Sequence, residues 1–422
     1  MKRMNLMFSI ALAAAPAAAW AAGEAVWQGA LMPPEAVVRD AVLTHPLVRA
    51  SDAGFERDRA TGERLRVGPY ETQLEAGGQR RAPGADGAPE VDWSVAIARP
   101  LRLPAKREAD FALGDRLAER GRMSALDARH ETSRLLLAGW FDLLRQRAGA
   151  AQAARQAEVL AEIVDVVGRR IRAGDAARLE ELQAQAALAL ADGQLQLARH
   201  RVDAARISLE RNFPQLTRVA MPAIDSADTR PTPAEHERPW WVERIMSVNH
   251  EIALQRAEAG IRRAQAGRAR AERTPDPSIG LRGSTDRARA DRILGVFVSI
   301  PLAGGGRAAA EREALALADE GEARAAATER RVLAAALSSY EAAEAGGRAW
   351  RALADARERS EAAARVSARA FELGEGTLTD LLLARRTVLD AALAEQTARI
   401  DALEALARLR LDAHLLWDFD GD

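Results

Sequence analysis

The sequence predicts a mainly α protein carrying four short amphipathic β-strands, built as one helix–strand–strand–helix–helix unit written twice. Three observations predict it: landmarks recur in the same order about 200 residues apart, long stretches repeat Ala and Leu at heptad steps, and two runs in each half alternate apolar with polar or small residues. Hydrophobic residues make up 48% of the 422 but aromatics only 4%, which suits long helices packed at close range rather than an aromatic-lined pocket.

The elements follow in chain order. Lys2 and Arg3, the apolar run Leu6–Ala19 with Pro16, and the A-x-A site Ala19-Trp20-Ala21 read as a signal peptide over 1–21. A first repeat, 22–213, is expected to run as helix 35–67, strands 70–80 and 91–100, helix 105–172 and helix 176–213. Pro214, Pro222, Pro231, Pro233 and Pro239 mark a connector, 214–239. The second repeat, 240–422, is expected as helix 240–273, strands 277–286 and 292–301, helix 307–372 and helix 377–417.

The landmarks that define the repeat are specific in combination. His45-Pro46-Leu47-Val48 answers Asn249-His250-Glu251-Ile252, and Trp93–Leu101 answers Leu294–Leu302. Both strand runs end in Pro-Leu and then a basic residue, Lys106 or Arg307. Ile171-Arg172-Ala173-Gly174-Asp175 answers Phe371-Glu372-Leu373-Gly374-Glu375.

Lengths and seams extend the argument. At 1.5 Å per residue each long helix would span roughly 100 Å, matched by the two shorter helices of its half stacked end to end. Ala184, Leu188, Ala191, Leu195, Ala198, Val202, Ala205 and Leu209 step by four and three, as do Leu389, Leu393, Gln396, Ile400 and Leu403. A rod of antiparallel coiled helices is expected.

Each strand has one apolar face. Val91, Trp93, Val95 and Ile97 oppose Asp92, Ser94, Ala96 and Ala98, and Leu294, Val296 and Val298 oppose Gly295, Phe297 and Ser299. About ten such residues suit a strand crossing an outer membrane beside a wet lumen, with Phe297 out of pattern on the inner face. Four strands cannot close a barrel, and open edges cannot stay in lipid, so several chains must share one. A trimer with about 12 strands is the expected solution.

What the composition excludes is equally clear. With 60 basic and 61 acidic residues the chain has no pull toward nucleic acid. Cysteine is absent, which removes disulfides, thiolate metal sites, Cys nucleophiles and an acylated N-terminal Cys, so the protein is expected not to be lipid-anchored. His45, His130, His200, His236, His250 and His414 are scattered without metal-ligand spacing. No P-loop and no triad signature occurs, and Gly304-Gly305-Gly306 lacks the Lys-Ser/Thr of a phosphate loop. No catalytic residue, cofactor or metal site is expected, and the protein is expected not to be an enzyme.

These pieces resemble the TolC-like outer-membrane factors of tripartite efflux pumps over essentially the whole mature chain. The resemblance rests on the duplicated helix starts, on Ile300-Pro301-Leu302 followed by Gly304-Gly305-Gly306-Arg307, and on Phe371-Glu372-Leu373-Gly374-Glu375-Gly376-Thr377-Leu378-Thr379-Asp380-Leu381-Leu382. It implies a homotrimer: a 12-stranded barrel in outer-membrane lipid continuing into a 12-helix periplasmic tunnel. The implied partners are a periplasmic adaptor (membrane fusion) protein and an RND-type inner-membrane pump. The layout is most similar to the CzcC-like heavy-metal cation branch, which implies metal-ion cargo. Drugs, organic solutes or polypeptide are the alternative cargo, and a soluble periplasmic coiled-coil adaptor is the alternative of another class.

Site residues follow from the resemblance. Pro100, Pro301, Gly304, Gly305 and Gly306 would join barrel to tunnel. Arg172, Gly174, Asp175, Gly374, Glu375 and Gly376 would form turns that meet the adaptor. Glu180, Asp380 and Leu383 would line a periplasmic constriction, where Leu383 and Gln183 replace a second acid that the family can carry. The competing expectation is that Glu180 and Asp380 simply favour helix N-termini.

Overall fold

The computed structural model describes residues 31–68, 70–81, 89–222, 229–287, 290–302 and 304–421, so the expected signal peptide over 1–21 lies outside the described residues. Along the chain run α1 (Glu35–Leu43), α2 (Pro46–Val67), β1 (Gln73–Arg81), β2 (Glu90–Pro100), α3 (Pro104–Ala173), α4 (Arg178–Asn212), a 3-10 turn (Pro214–Arg218), α5 (Arg238–Val248), α6 (His250–Ala271), β3 (Ser278–Asp286), β4 (Asp291–Ser299), α7 (Gly305–Glu372) and α8 (Leu378–Asp412). This is a mainly α chain with the duplicated order of elements.

Several expected boundaries move. The helix expected over 35–67 is two, because Pro46 has no N–H to continue α1 but suits the first turn of α2. The helix expected over 240–273 also breaks, at Asn249, whose side chain accepts from Ile252 N at 2.9 Å and caps α6. The connector expected over 214–239 begins with a 3-10 turn and gives way to α5 at Arg238. β1 starts at Gln73 rather than 70, and β4 ends at Ser299, two residues before Pro301. α8 stops at Asp412, and His414 and Trp417 then take left-handed φ of 56° and 52°.

The chain divides into two compact units, one of residues 1–45, 132–243 and 336–422, the other of residues 46–131 and 244–335. In the first unit Trp140, Phe141, Leu136 and Leu144 of α3 are fully buried, as are Ile400, Leu403 and Leu406 of α8. Trp140 Nε1 donates to Leu31 O at 2.8 Å, so the largest core side chain leaves no buried donor unpaired. Small residues set the helix spacing, since a Cβ on Gly346 of α7 would lie 3.1 Å from Ala402 Cα of α8. The heptad face of α4 is inward, with Ala184, Ala191, Leu195, Ala205 and Leu209 buried. In α8 the expected seam holds at Gln396, Ile400 and Leu403, but Leu393 is exposed and Glu395 is buried instead.

Glu395 is held by Trp350 Nε1 at 2.7 Å, Arg399 Nη2 at 2.6 Å and Arg357 Nη1 at 3.1 Å. Burial pushes its carboxyl up, but these donors outweigh burial and keep it below the usual carboxylate range.

The second unit holds the sheet and the helices that flank it. Gly62 of α2 faces Gly114 of α3, where a Cβ would meet Gly114 O at 3.1 Å, so the two backbones pack directly. The sheet order is β1-β2-β3-β4, every pair antiparallel.

Candidate functional site

Register places the apolar faces of all four strands on one side of the sheet. Leu74 pairs with Ile97, Ile97 with Leu281, and Leu281 with Val296, forming one row across the strands. All four are exposed, from 46% to 72%, as are Val91, Trp93, Val95, Ile279, Leu294 and Val298 on the same side. An apolar sheet face of this extent is unsuited to water and suited to lipid. Among the described residues, β1 and β4 each have one unpaired edge.

The opposite face carries mainly polar and small residues, with Ile293 and Phe297 as the large apolar ones, and Phe297 has a reason to be there. It pairs with Gly280, where a Cβ would fall 2.5 Å from the ring, and Arg282 stacks 5.0 Å from its centroid. The missing glycine side chain makes room for the aromatic one.

Directly below the β2–β3 pairing lies a buried charge network that the sequence did not reveal. Leu101 N donates to Pro277 O at 2.8 Å, carrying the ladder one step past the strands. Arg102 then forks onto Asp110, with Nε–Oδ2 and Nη2–Oδ1 both 2.9 Å, and its Nη1 reaches Asp276 Oδ2 at 3.1 Å and Glu272. Lys106 Nζ lies 2.8 Å from Glu272 Oε2 and 3.1 Å from Asp276 Oδ2. Arg268 Nε reaches Asp110 Oδ1 at 2.7 Å, Leu103 N donates to Asp276 Oδ1 at 3.2 Å, and Arg307 donates to the Glu272 carbonyl. The side chains of Arg102, Lys106 and Asp110 are only 8%, 2% and 4% exposed.

Burial would push the Glu272 and Asp276 carboxyls up. Hydrogen bonds from Lys106 and Arg102 to both, and from Leu103 N to Asp276, outweigh it and hold both below their ordinary values. Burial likewise opposes the charge on Arg102, yet its three carboxylate partners raise its pKa. The one sequence signal was Lys106, one of two lysines in an arginine-rich chain; its acids stand about 170 residues away. Of the expected junction residues, Pro100 ends β2, Pro301 and Gly304 follow β4, and Gly305 and Gly306 open α7.

The two expected helical turns belong to the first unit and share one geometry. Gly174 and Gly374 have φ of 84° and 78°, a conformation that costs an L-residue about 1–2 kcal/mol. Gly174 N donates to Ile171 O and Asp175 N to Arg170 O, at 3.0 and 2.8 Å. Gly374 N to Phe371 O and Glu375 N to Ala370 O, at 3.1 and 2.9 Å, repeat this Schellman pair. Gly376 N also donates to Ala370 O, and a Cβ on Gly376 would lie 3.1 Å from Phe371 N. Phe371, Leu378 and Leu381 share a core with Val167 and Ala184, while Arg172, Asp175 and Glu375 are exposed.

The expected constriction residues Glu180, Asp380 and Leu383 lie near the starts of α4 and α8. Asp380 forms a capping box with Thr377, accepting from its hydroxyl at 2.6 Å while Asp380 N donates to Thr377 Oγ1 at 3.1 Å. Glu180 sits 3.8 Å from Arg170, which lies over the Phe371 ring at 4.7 Å. Asp380 and Leu383 are exposed, and Glu180 is half-buried.

Comparison with known proteins points one way. No protein-family model matches the chain. The cobalt-zinc-cadmium resistance protein CzcC of Cupriavidus metallidurans is 24% identical over 212 residues, 48% of this chain, and the match spans about half of that relative's length. Among solved structures, the outer-membrane channel OprN has a TM-score of 0.74 at 19% identity, covering 94% of this chain and 92% of that one. The outer membrane protein VceC of Vibrio cholerae gives 0.73 at 16%, covering 91% and 97%, and the Campylobacter jejuni CmeC outer membrane channel 0.73 at 13%, covering 98% and 94%. Over more than nine-tenths of its length the chain has the fold of the TolC-like outer-membrane channels.

Proposed function

We propose that three copies of this chain form the passive exit duct of a tripartite efflux system in the outer membrane. The observation that carries the proposal is the sheet: one exposed apolar face, one polar face and two bare edges. β1 and β4 run antiparallel to each other, so β4 of one copy can pair antiparallel with β1 of the next, and three copies close about 12 strands without an edge. Closure satisfies every backbone group in lipid, which an open sheet cannot do.

The helices then form a periplasmic tunnel, and the turns at Arg172, Gly174, Asp175 and at Gly374, Glu375, Gly376 meet a periplasmic adaptor. Glu180, Asp380 and Leu383 narrow the entrance of that tunnel. The duct does no chemistry, so an RND-type inner-membrane pump supplies the energy. Heavy-metal cations are the proposed cargo, supported by the partial similarity to a cobalt-zinc-cadmium resistance protein.

The test is light scattering of the detergent-extracted protein with single-channel recording in bilayers. A trimer that stays with membranes through carbonate washing and conducts ions is expected. A water-soluble monomer without conductance would overturn the reading.

A further inference from the structure

The charge network below β2 and β3 stands at the one place where the two halves of the chain meet in the sheet. A duplicated molecule has a pairing problem there. Hairpins β1–β2 and β3–β4 each offer two similar edges, so β2 could join β3, or the β1 of another copy, with equal backbone geometry. Two-residue register slips also preserve which face is apolar.

The roots of the strands are not equivalent, however. Aligning Pro69 with Pro275 puts Arg66 where the second half has Glu272, and Tyr70 where it has Asp276. The spacing that aligns Pro100 with Pro301 puts Ala303 at the position of Arg102 and Arg307 at that of Lys106. Below β3 two carboxylates await cations. Below β1 stand Arg66, already bonded to Asp115, and Tyr70, whose buried hydroxyl has no hydrogen-bond partner among the described residues.

We propose that Arg102, Lys106 and Asp110 with Glu272 and Asp276 form a key that selects the β2–β3 seam and its register within the chain. Against the β1 root, Arg102 would keep only Asp110, and the buried Lys106 would meet a cation instead of two acids, leaving its desolvated charge unpaired. A two-residue slip would carry donors and acceptors roughly 7 Å apart, beyond any direct bond. The seam proposed to close between copies lacks this key, so the two seams of the barrel are chemically distinct. That last point rests on the trimer proposed above; the choice of β3 and register by β2 does not.

A buried ion pair is weak evidence for stability, because apolar replacements often match it. The experiment therefore reads register. In this cysteine-free chain, Ser94→Cys with Ser284→Cys joins Cα partners of the native register, within disulfide reach. Ala96→Cys with Ser284→Cys reports a two-residue slip. With the key intact, only the first pair should oxidise, and within one chain. Neutralising it, by Arg102→Met, Lys106→Met, Asp110→Asn, Glu272→Gln and Asp276→Asn together, should raise the slipped product about tenfold, and any pairing of β2 with the β1 of another copy should appear as loss of the native cross-link.

Native-only cross-linking in the assembled neutral variant would overturn the proposal. If that variant does not assemble, Lys106→Glu is compared with Lys106→Glu plus Glu272→Lys. Recovery of the native cross-link in the reversed pair supports the key, and equal loss in both refutes it. Failure of the trimer reading would appear separately, as a Ser94→Cys, Ser284→Cys chain with the key intact that cross-links natively yet is monomeric.

Discussion

Replacing Gly374 tests whether the helical turns serve the fold or a partner, because the two roles predict different rankings of substitutions. A Cβ at Gly374 would meet no atom within 4 Å, so the chain has space for a side chain, and the obstacle is the backbone φ of 78°. Valine in that conformation costs about 1–2 kcal/mol and loosens the Schellman bonds to Phe371 O and Ala370 O. Asparagine tolerates the left-handed region, so its cost is a fraction of that. If the turn is packed against an adaptor and the proposed metal cargo holds, Gly374→Asn should lower metal resistance in cells while leaving melting and oligomer yield unchanged. Gly374→Val should lower both. Full resistance with Asn, combined with loss only in Val, would refute partner contact and leave ordinary turn chemistry.

Other outcomes are expected elsewhere. Trp140→Phe keeps the ring packing but leaves Leu31 O without its donor, and should cost about 1–3 kcal/mol in chemical denaturation. Glu395→Gln breaks a buried ion pair with Arg399 and should cost about 3 kcal/mol at pH 7. Because the folded pKa of Glu395 is depressed, its contribution is present above the unfolded value of about 4.3 and lost as pH falls through the folded value, so the gap in denaturation midpoint between the two proteins should close toward acid pH. Gly280→Val places a branched side chain into the space of the Phe297 ring and Ile97 O, and should abolish the trimer proposed above in light scattering of the detergent-extracted protein; a normal trimer would show that the sheet tolerates the bulk. Asp380→Ala removes the capping box, about 1 kcal/mol, and, if the constriction reading holds, also changes cation selectivity in bilayers; a melting shift alone would favour the capping role.

Much of the fold was legible because it is written in periods. Helical patterning located α3, α4, α7 and α8 to within a few residues, with heptad stepping along α4 and α8, and alternation located the strands. The breaks before Pro46 and at Asn249 coincide with the helix-start landmarks, yet the helix ranges 35–67 and 240–273 run across them; one missing N–H and one side-chain cap decide the break. Leu393, expected on the seam, is exposed, and Glu395 is buried because Trp350, Arg357 and Arg399 supply donors to the acid, partners that no heptad rule anticipates. The charge network stayed hidden for a similar reason: Glu272 and Asp276 resemble any solvated acids until the sheet brings them beside Arg102 and Lys106. Phe297, out of pattern in its own strand, makes sense only through Gly280 in the next.

The bare edges of the sheet bear on the life of the chain before assembly. An unpaired strand is a template for any other extended segment, and crowded, newly exported polypeptides supply many. β1 ends in Gln79-Arg80-Arg81 and β4 opens with Asp291-Arg292, charges that discourage indiscriminate pairing on both sides. The lone subunit is thus guarded at the ends of its edges and vulnerable along their middles. In the trimer proposed above, the speed with which subunits meet would then count beside thermodynamic stability.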